Sequence, residues 1–191
     1  MRLTGPSVTN EPDSLKISKT ARHFVIRRAR ATDLDAVHRL NRELQAYERK
    51  LRASRLPARS LGRDYVDRLW RIDRRNAGRL FVATSPTGVI AFLACILESD
   101  ILESKPLAVQ ITDLVVTARW RGNGAGTALI DNADEFAREK DARSIGVTTL
   151  AENAKARRAY RALGFVESAV TFERFISARS LKMARSRGIK A

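Results

Sequence analysis

The residues with the most readable chemistry form a glycine-rich turn, Arg121-Gly122-Asn123-Gly124-Ala125-Gly126, followed by Thr127. An apolar strand, Gln110 to Val116, precedes the turn, and a helical pattern begins at Ala125. Glycine reaches backbone dihedrals closed to other residues and removes the side chain between backbone and ligand. Amides at a helix start point at an anion, and the helix dipole favours negative charge there. Arg121 adds a planar cationic fork suited to phosphate oxygens. The chemistry these residues offer is therefore phosphate binding. A Walker loop needs Gly-Lys-Ser/Thr at its end, whereas Gly126 is followed by Thr127 with no lysine. A dinucleotide fingerprint needs Gly-x-Gly-x-x-Gly, and neither Gly122 nor Gly124 starts that spacing. The remaining design is Arg/Gln-x-x-Gly-x-Gly/Ala.

A second pattern lies downstream in Asn153-Ala154-Lys155-Ala156-Arg157-Arg158-Ala159-Tyr160-Arg161-Ala162-Leu163-Gly164-Phe165. It reads Asn-x-x-Ala-x-x-x-Tyr-x-x-x-Gly-Phe and follows a strand. In these two motifs, in this order and separated by one helix and one strand, the chain resembles the GNAT superfamily of N-acetyltransferases over roughly residues 22–177. The resemblance implies an α/β (α+β) fold. Its central sheet would be mixed and mostly antiparallel, with parallel strands splayed at the acetyl-CoA site and helices flanking it. It implies acetyl-CoA as co-substrate and an amine as acceptor. The pyrophosphate would sit on Arg121, Gly122, Asn123, Gly124, Ala125, Gly126 and Thr127. The pantetheine would pair with the backbone of Leu114, Val115 and Val116 like an added strand. Asn153 would meet the pantetheine or the thioester, and it also reads as a helix N-cap. The Tyr160 hydroxyl would face the sulfur and protonate the leaving thiolate, a task open to a phenol at neutral pH. Tyr160 also reads as a packing aromatic, and Phe165 reads as core.

The acceptor side is less familiar. Many members of this family carry a glutamate on the fourth strand, at the position of Gln110 or of Thr112, and this chain has neither. Asp113 stands beside them as a candidate catalytic residue. It alternates with Thr112 across the strand, so one of the two faces the acceptor. Asp113 either acts through a water or holds the strand end by hydrogen bonds. Tyr47 and Glu48, at the end of the first helix, lie where the family often shapes its acceptor pocket. Glu98, Asp100 and Glu103 read first as acids of a solvated loop and second as attractors of a cationic amine.

These residues need a scaffold, and the pattern supplies it. Phe24-Val25-Ile26 forms a short first strand. Thr32, with Asp35 in the first turn, resembles a helix N-cap. Leu34, Val37, Leu40, Leu44, Tyr47 and Leu51 then recur at helical steps. A second helix over about 62–76 places Val66, Leu69 and Trp70 on one side and ends near Gly78. Leu80 to Ala83 and Val89 to Leu97 flank the turn Ser85-Pro86-Thr87-Gly88 and read as a hairpin. After the glycine turn the sequence predicts a helix over about 125–140, a strand over about 144–150, a helix over about 154–163 and a last strand. That alternation calls for parallel strands.

Bulk properties narrow the class. The chain has 191 residues, of which 44% are hydrophobic and 30% charged, so one domain can bury a full core. Residues 1–21 read as a flexible leader, 22–177 as the acetyltransferase domain and 178–191 as a basic tail. Cys95, the single cysteine, reads as a buried small residue. The only histidines, His23 and His38, have no metal-ligand spacing around them. No run approaches the ~18 apolar residues of a membrane span, and the first residues lack the apolar stretch expected of a signal peptide. A cytoplasmic location is expected. Lys and Arg total 36 against 21 acids, a net charge of +15 that attracts polyanions. The basic residues are spread along the chain, and no nucleic-acid-binding motif is recognisable. Two rivals stay open, a non-catalytic acyl-CoA sensor and a basic nucleic-acid-binding protein. A homodimer is equally open.

Overall fold

The computed structural model describes residues 23–173, in two units divided between Asn153 and Ala154. Residues 1–21, expected as a leader, and 178–191, expected as a tail, lie outside the described residues.

In the first unit, β1 (Val25–Arg28), β2 (Gly78–Ser85), β3 (Gly88–Ser99), β4 (Leu107–Val116) and β5 (Ile145–Val147) form one five-stranded sheet in chain order. The first three pairings are antiparallel and β4 with β5 is parallel. Helices α1 (Leu34–Leu51), α2 (Asp64–Arg74) and α3 (Ala125–Glu139) flank it. The expected mixed, mostly antiparallel sheet is present. Helix α3 crosses from β4 to its parallel neighbour β5, as a parallel connection requires.

Helices α1 and α2 pack with the sheet around Val37, Leu40, Val66, Leu69, Leu80, Val82, Phe92, Ala94 and Val115. The three-and-four spacing of those helical residues builds the apolar stripe. Helix α3 buries its own stripe of Leu129, Ile130, Ala133, Phe136 and Ala137. The Arg79 guanidinium lies 4.4 Å from the Phe136 ring centroid. Asp73 is fully buried at the end of α2 and accepts from Arg28 Nε at 2.9 Å and from the Leu80 amide at 3.2 Å. That carboxylate ties β1, β2 and α2 together, and removing its partner would strand a buried charge.

Several sequence expectations need correction. The side chain that caps the backbone before α1 is that of Asp33, not Thr32, and it serves the short turn Ala31–Asp33: the Arg30 amide donates to Asp33 Oδ2 at 2.7 Å. Arg27 donates to the same carboxylate at 2.7 and 2.9 Å. Gly78 does not end α2, because Asn76 takes the left-handed turn at φ 58° and Gly78 opens β2. Glycine is needed at 78 for another reason: a Cβ there would lie 2.2 Å from the Cys95 carbonyl oxygen.

The second unit holds α4 (Ala154–Ala162), and Gly164 follows at φ 86°. The Gly164 amide donates to the Arg161 carbonyl and the Phe165 amide to the Tyr160 carbonyl, a Schellman closure. The Tyr160 and Phe165 rings meet edge-on, with centroids 5.7 Å apart. The spacing Tyr-x-x-x-Gly-Phe is thus a helix C-cap with its usual apolar clasp. Phe165 is half-buried against Tyr160 rather than part of the central core. The strand expected after this helix is absent among the described residues, which run to 173.

Candidate active site

The glycine turn takes the form the sequence suggests. Gly122 and Gly124 both have positive φ, 73° and 82°. Gly124 is the left-handed residue from which α3 starts, and the Ala128 amide makes the first helical bond to its carbonyl at 2.9 Å. The amides of Ala125, Gly126 and Thr127 precede that bond, so they are the helix's anion-facing donors. Gly126 is different, because a Cβ there would meet only Val116 Cγ2 at 3.7 Å, an ordinary contact. The fold therefore requires glycine at 124 and tolerates alanine at 126, matching the Gly-x-Gly/Ala form of the motif. Asn123 Nδ2 donates to the Arg121 carbonyl at 3.0 Å and stiffens the turn. Arg121 is exposed, and its Nε donates to the Val116 carbonyl at 2.9 Å. Part of its fork is therefore spent on holding the loop to β4.

Strands β4 and β5 separate beside this loop. They pair only at Val109 to Ile111 against Ile145 to Val147. From Thr112 to Val116 no strand lies on that side of β4 among the described residues. Leu114, Val115 and Val116 thus present a strand edge next to the head of α3. Gln110 spans the last paired step, with Nε2 3.3 Å from Thr148 Oγ1.

The antiparallel side of β4 carries a bulge. Ala94 faces Asp113 while Cys95 faces Ile111, which leaves Thr112 as the extra residue. Regular alternation would keep Asp113 on the face of Ile111. The bulge breaks that alternation and turns Asp113 toward α1 and α2. There Asp113 is 6% exposed, accepting from Asn41 Nδ2 at 3.2 Å on one oxygen and from Tyr65 Oη at 2.6 Å on the other. Burial pushes the Asp113 carboxyl above the usual carboxylate range, and the Tyr65, Thr112 and Asn41 side chains pull it back. The Tyr65 phenol is pushed well up, first by burial and then by the Asp113 charge. Thr112 is exposed, and its hydroxyl donates to the Ala94 carbonyl at 3.3 Å.

Asn41 and Tyr65 escaped the sequence reading, although a signal existed for each. Asn41 stands four residues after Val37 and three before Leu44, a polar residue at an apolar phase of α1. Tyr65 precedes Leu69 by four on α2. Tyr47 and Glu48 are brought to the same region. Tyr47 Oη donates to Oδ1 of the buried Asn153 at 3.2 Å, and the Asn153 amide donates to the Leu150 carbonyl at 2.9 Å. Glu48 pairs with Arg55 at 3.1 Å. Its carboxyl is raised by burial, lowered by Arg55 and raised again by the charge of Asp113. Glu98, Asp100 and Glu103 are all exposed; Asp100 and Glu103 lie in the loop between β3 and β4, whereas Glu98 belongs to β3 and pairs with Ala108, and Asp100 Oδ1 accepts from the Leu102 amide. Cys95 is buried, and burial pushes its thiol up to about 12. Among the described residues no helix is long and apolar enough to cross a membrane.

Comparison with known proteins follows this geometry. The chain is 32% identical over 97 residues to an uncharacterised N-acetyltransferase of Methanocaldococcus jannaschii, a stretch covering 51% of this chain and 43% of that relative. The chain thus matches less than half the length of the relative. Among solved structures it is similar to a transcriptional regulator from Bacillus halodurans, at a TM-score of 0.66 and 23% identity, covering 81% of this chain and 100% of the other. A Trypanosoma brucei acetyltransferase is similar at a TM-score of 0.62 and 20% identity, with 81% and 100% covered. An aminoglycoside N-acetyltransferase in complex with CoA is similar at a TM-score of 0.65 and 21% identity, with 80% and 95% covered. At these identities the structures speak for the fold. The acetyltransferase (GNAT) family matches residues 38–165, about two thirds of the chain and both motifs up to Phe165, and the chain belongs to that family.

Proposed function

We propose that this chain is an N-acetyltransferase that moves an acetyl group from acetyl-CoA to a primary amine of a small molecule or a protein. The observation that carries this reading is the left-handed Gly124 turn at the head of α3, set beside the open edge of β4. The turn suits a pyrophosphate, and the edge at Leu114 to Val116 suits the amides of pantetheine.

In this reading the amine reaches the thioester carbonyl as a neutral base, since an ammonium has no lone pair. The new C–N bond forms as the C–S bond breaks. The leaving thiolate takes a proton from Tyr160, and the proton the amine loses restores the phenol, so the products are the amide and the free CoA thiol. Backbone amides of β4 near the Thr112 bulge stabilise the charge that builds on the carbonyl oxygen. Asp113 serves as a positioning residue. Both of its oxygens already accept hydrogen bonds, and it holds the strand end between Asn41 and Tyr65.

The test is thiol release from acetyl-CoA across a panel of amines. Tyr160→Phe should lower turnover by about 10²-fold, the usual scale of one general acid, while leaving acetyl-CoA affinity unchanged. Unchanged turnover removes Tyr160 from the acid role. Tight acetyl-CoA binding with no turnover on any amine favours a sensor instead.

A further inference from the structure

The carboxylate that receives the acceptor's amino group has no place on β4, because Gln110 and Thr112 are neutral and Asp113 is fully engaged. The geometry points to Glu48 as the anchor of a cationic amine acceptor, with Arg55 holding that position until the acceptor arrives. This inference rests on the acetyl-transfer reading and names the acceptor class for it.

Three observations carry it. The first is placement: Asn41 and Glu48 are seven residues apart on α1, two helical turns, and so share one face. Asn41 touches Asp113 directly, and Glu48 feels the charge of Asp113, so this face looks onto the bulged end of β4. The neighbouring Tyr47 bonds Asn153, which fixes this end of α1 to the last residue of the first unit. The second is availability. The Glu48 side chain is 19% exposed and its ion pair is with Arg55, whereas Asp113 is 6% exposed with a partner on each oxygen. The third is exchangeability. The Arg55 side chain is 43% exposed and sits in the loop between α1 and α2. The Arg55 end of the pair is open, so its guanidinium regains water when the two separate, and an ion pair with such a partner contributes modestly to stability. The acceptor's second, non-reacting alkylammonium therefore replaces one cation by another at Glu48, and the Arg55 guanidinium returns to solvent. The exchange keeps two nearby carboxylates compensated.

The experiment is calorimetric titration of 1,4-diaminobutane into the full chain saturated with CoA, which lacks an acetyl group and permits no turnover. Wild type, Glu48→Gln and Arg55→Ala are compared. Glu48→Gln should weaken binding about tenfold, as expected for the loss of one charged hydrogen-bonded partner. Arg55→Ala should strengthen it roughly threefold by removing the competing cation. CoA affinity, measured in the same titrations, should be alike in all three proteins. Equal diamine affinity in all three, or no diamine binding even in Arg55→Ala, overturns the assignment. Glu48-dependent binding without acetyl transfer from acetyl-CoA would sink the enzymatic reading and leave the anchor standing.

Discussion

The buried carboxylate at the β4 bulge gives the sharpest prediction. Tyr65→Phe keeps the ring and removes only the hydroxyl that donates to Asp113 Oδ2 at 2.6 Å. Asp113 would then lose its shortest side-chain hydrogen bond and keep the weaker Asn41 contact at 3.2 Å in a site 6% exposed. Losing a hydrogen bond to a buried charged group costs about 2–3 kcal/mol. For a chain of this length that lowers Tm by roughly 4–12 °C. The loss must depend on pH with a definite sign. Burial holds the Asp113 carboxyl above its ordinary value, so its contribution to stability is greatest below the unfolded value and falls as pH rises through the folded one. The Tyr65 bond opposes that shift, so removing it raises the folded value further and steepens the fall. The deficit of the variant relative to wild type should be larger at pH 8 than at pH 5. Thermal unfolding followed by circular dichroism at both pH values measures it. In an Asp113→Asn background the same substitution should cost about 1 kcal/mol or less, the scale of a neutral hydrogen bond. A Tm drop below about 1 °C at pH 8, or an equal drop at pH 5 and pH 8, would refute the reasoning.

The glycines offer two more tests. Gly124→Ala meets no atom within 4 Å, so its cost is backbone strain alone at φ 82°, about 1–2 kcal/mol. It should lower the urea midpoint and weaken CoA binding, whereas Gly126→Ala should leave the midpoint unchanged. Equal midpoints for Gly124→Ala and wild type would show that the turn does not need its left-handed residue. Gly78→Ala drives a Cβ to 2.2 Å from the Cys95 carbonyl and 2.8 Å from Ile72 Cγ2, and should cost about 3 kcal/mol by overpacking. A wild-type urea midpoint for that variant would refute the steric account.

What the chain wrote locally was legible without coordinates. The glycine turn could be read because a left-handed residue, a helix start and their amides lie within a few consecutive positions. The Tyr160–Phe165 signature could be read because a Schellman closure uses only bonds across one helical turn. The hairpin from β2 to β3 follows from two apolar runs around a turn, and the amphipathic stripe of α1 from steps of three and four residues. Boundaries drifted where long-range pairing extends a strand, as at β4, which starts at Leu107 rather than Gln110.

The acceptor side was decided in three dimensions. Alternation alone assigns Asp113 to one face of β4, and a single extra residue at Thr112 reverses that assignment. Its partners come from 72 and 48 residues away in sequence, on two different helices. Gly78 looked like a helix stop because its real constraint, the Cys95 carbonyl, belongs to a neighbouring strand. The sequence determined how the chain could hold the phosphates of a donor, because that needs only local backbone geometry. Which carboxylate is buried and which stays open to an amine is a matter of packing between α1, α2 and β4, and only the tertiary structure decides it.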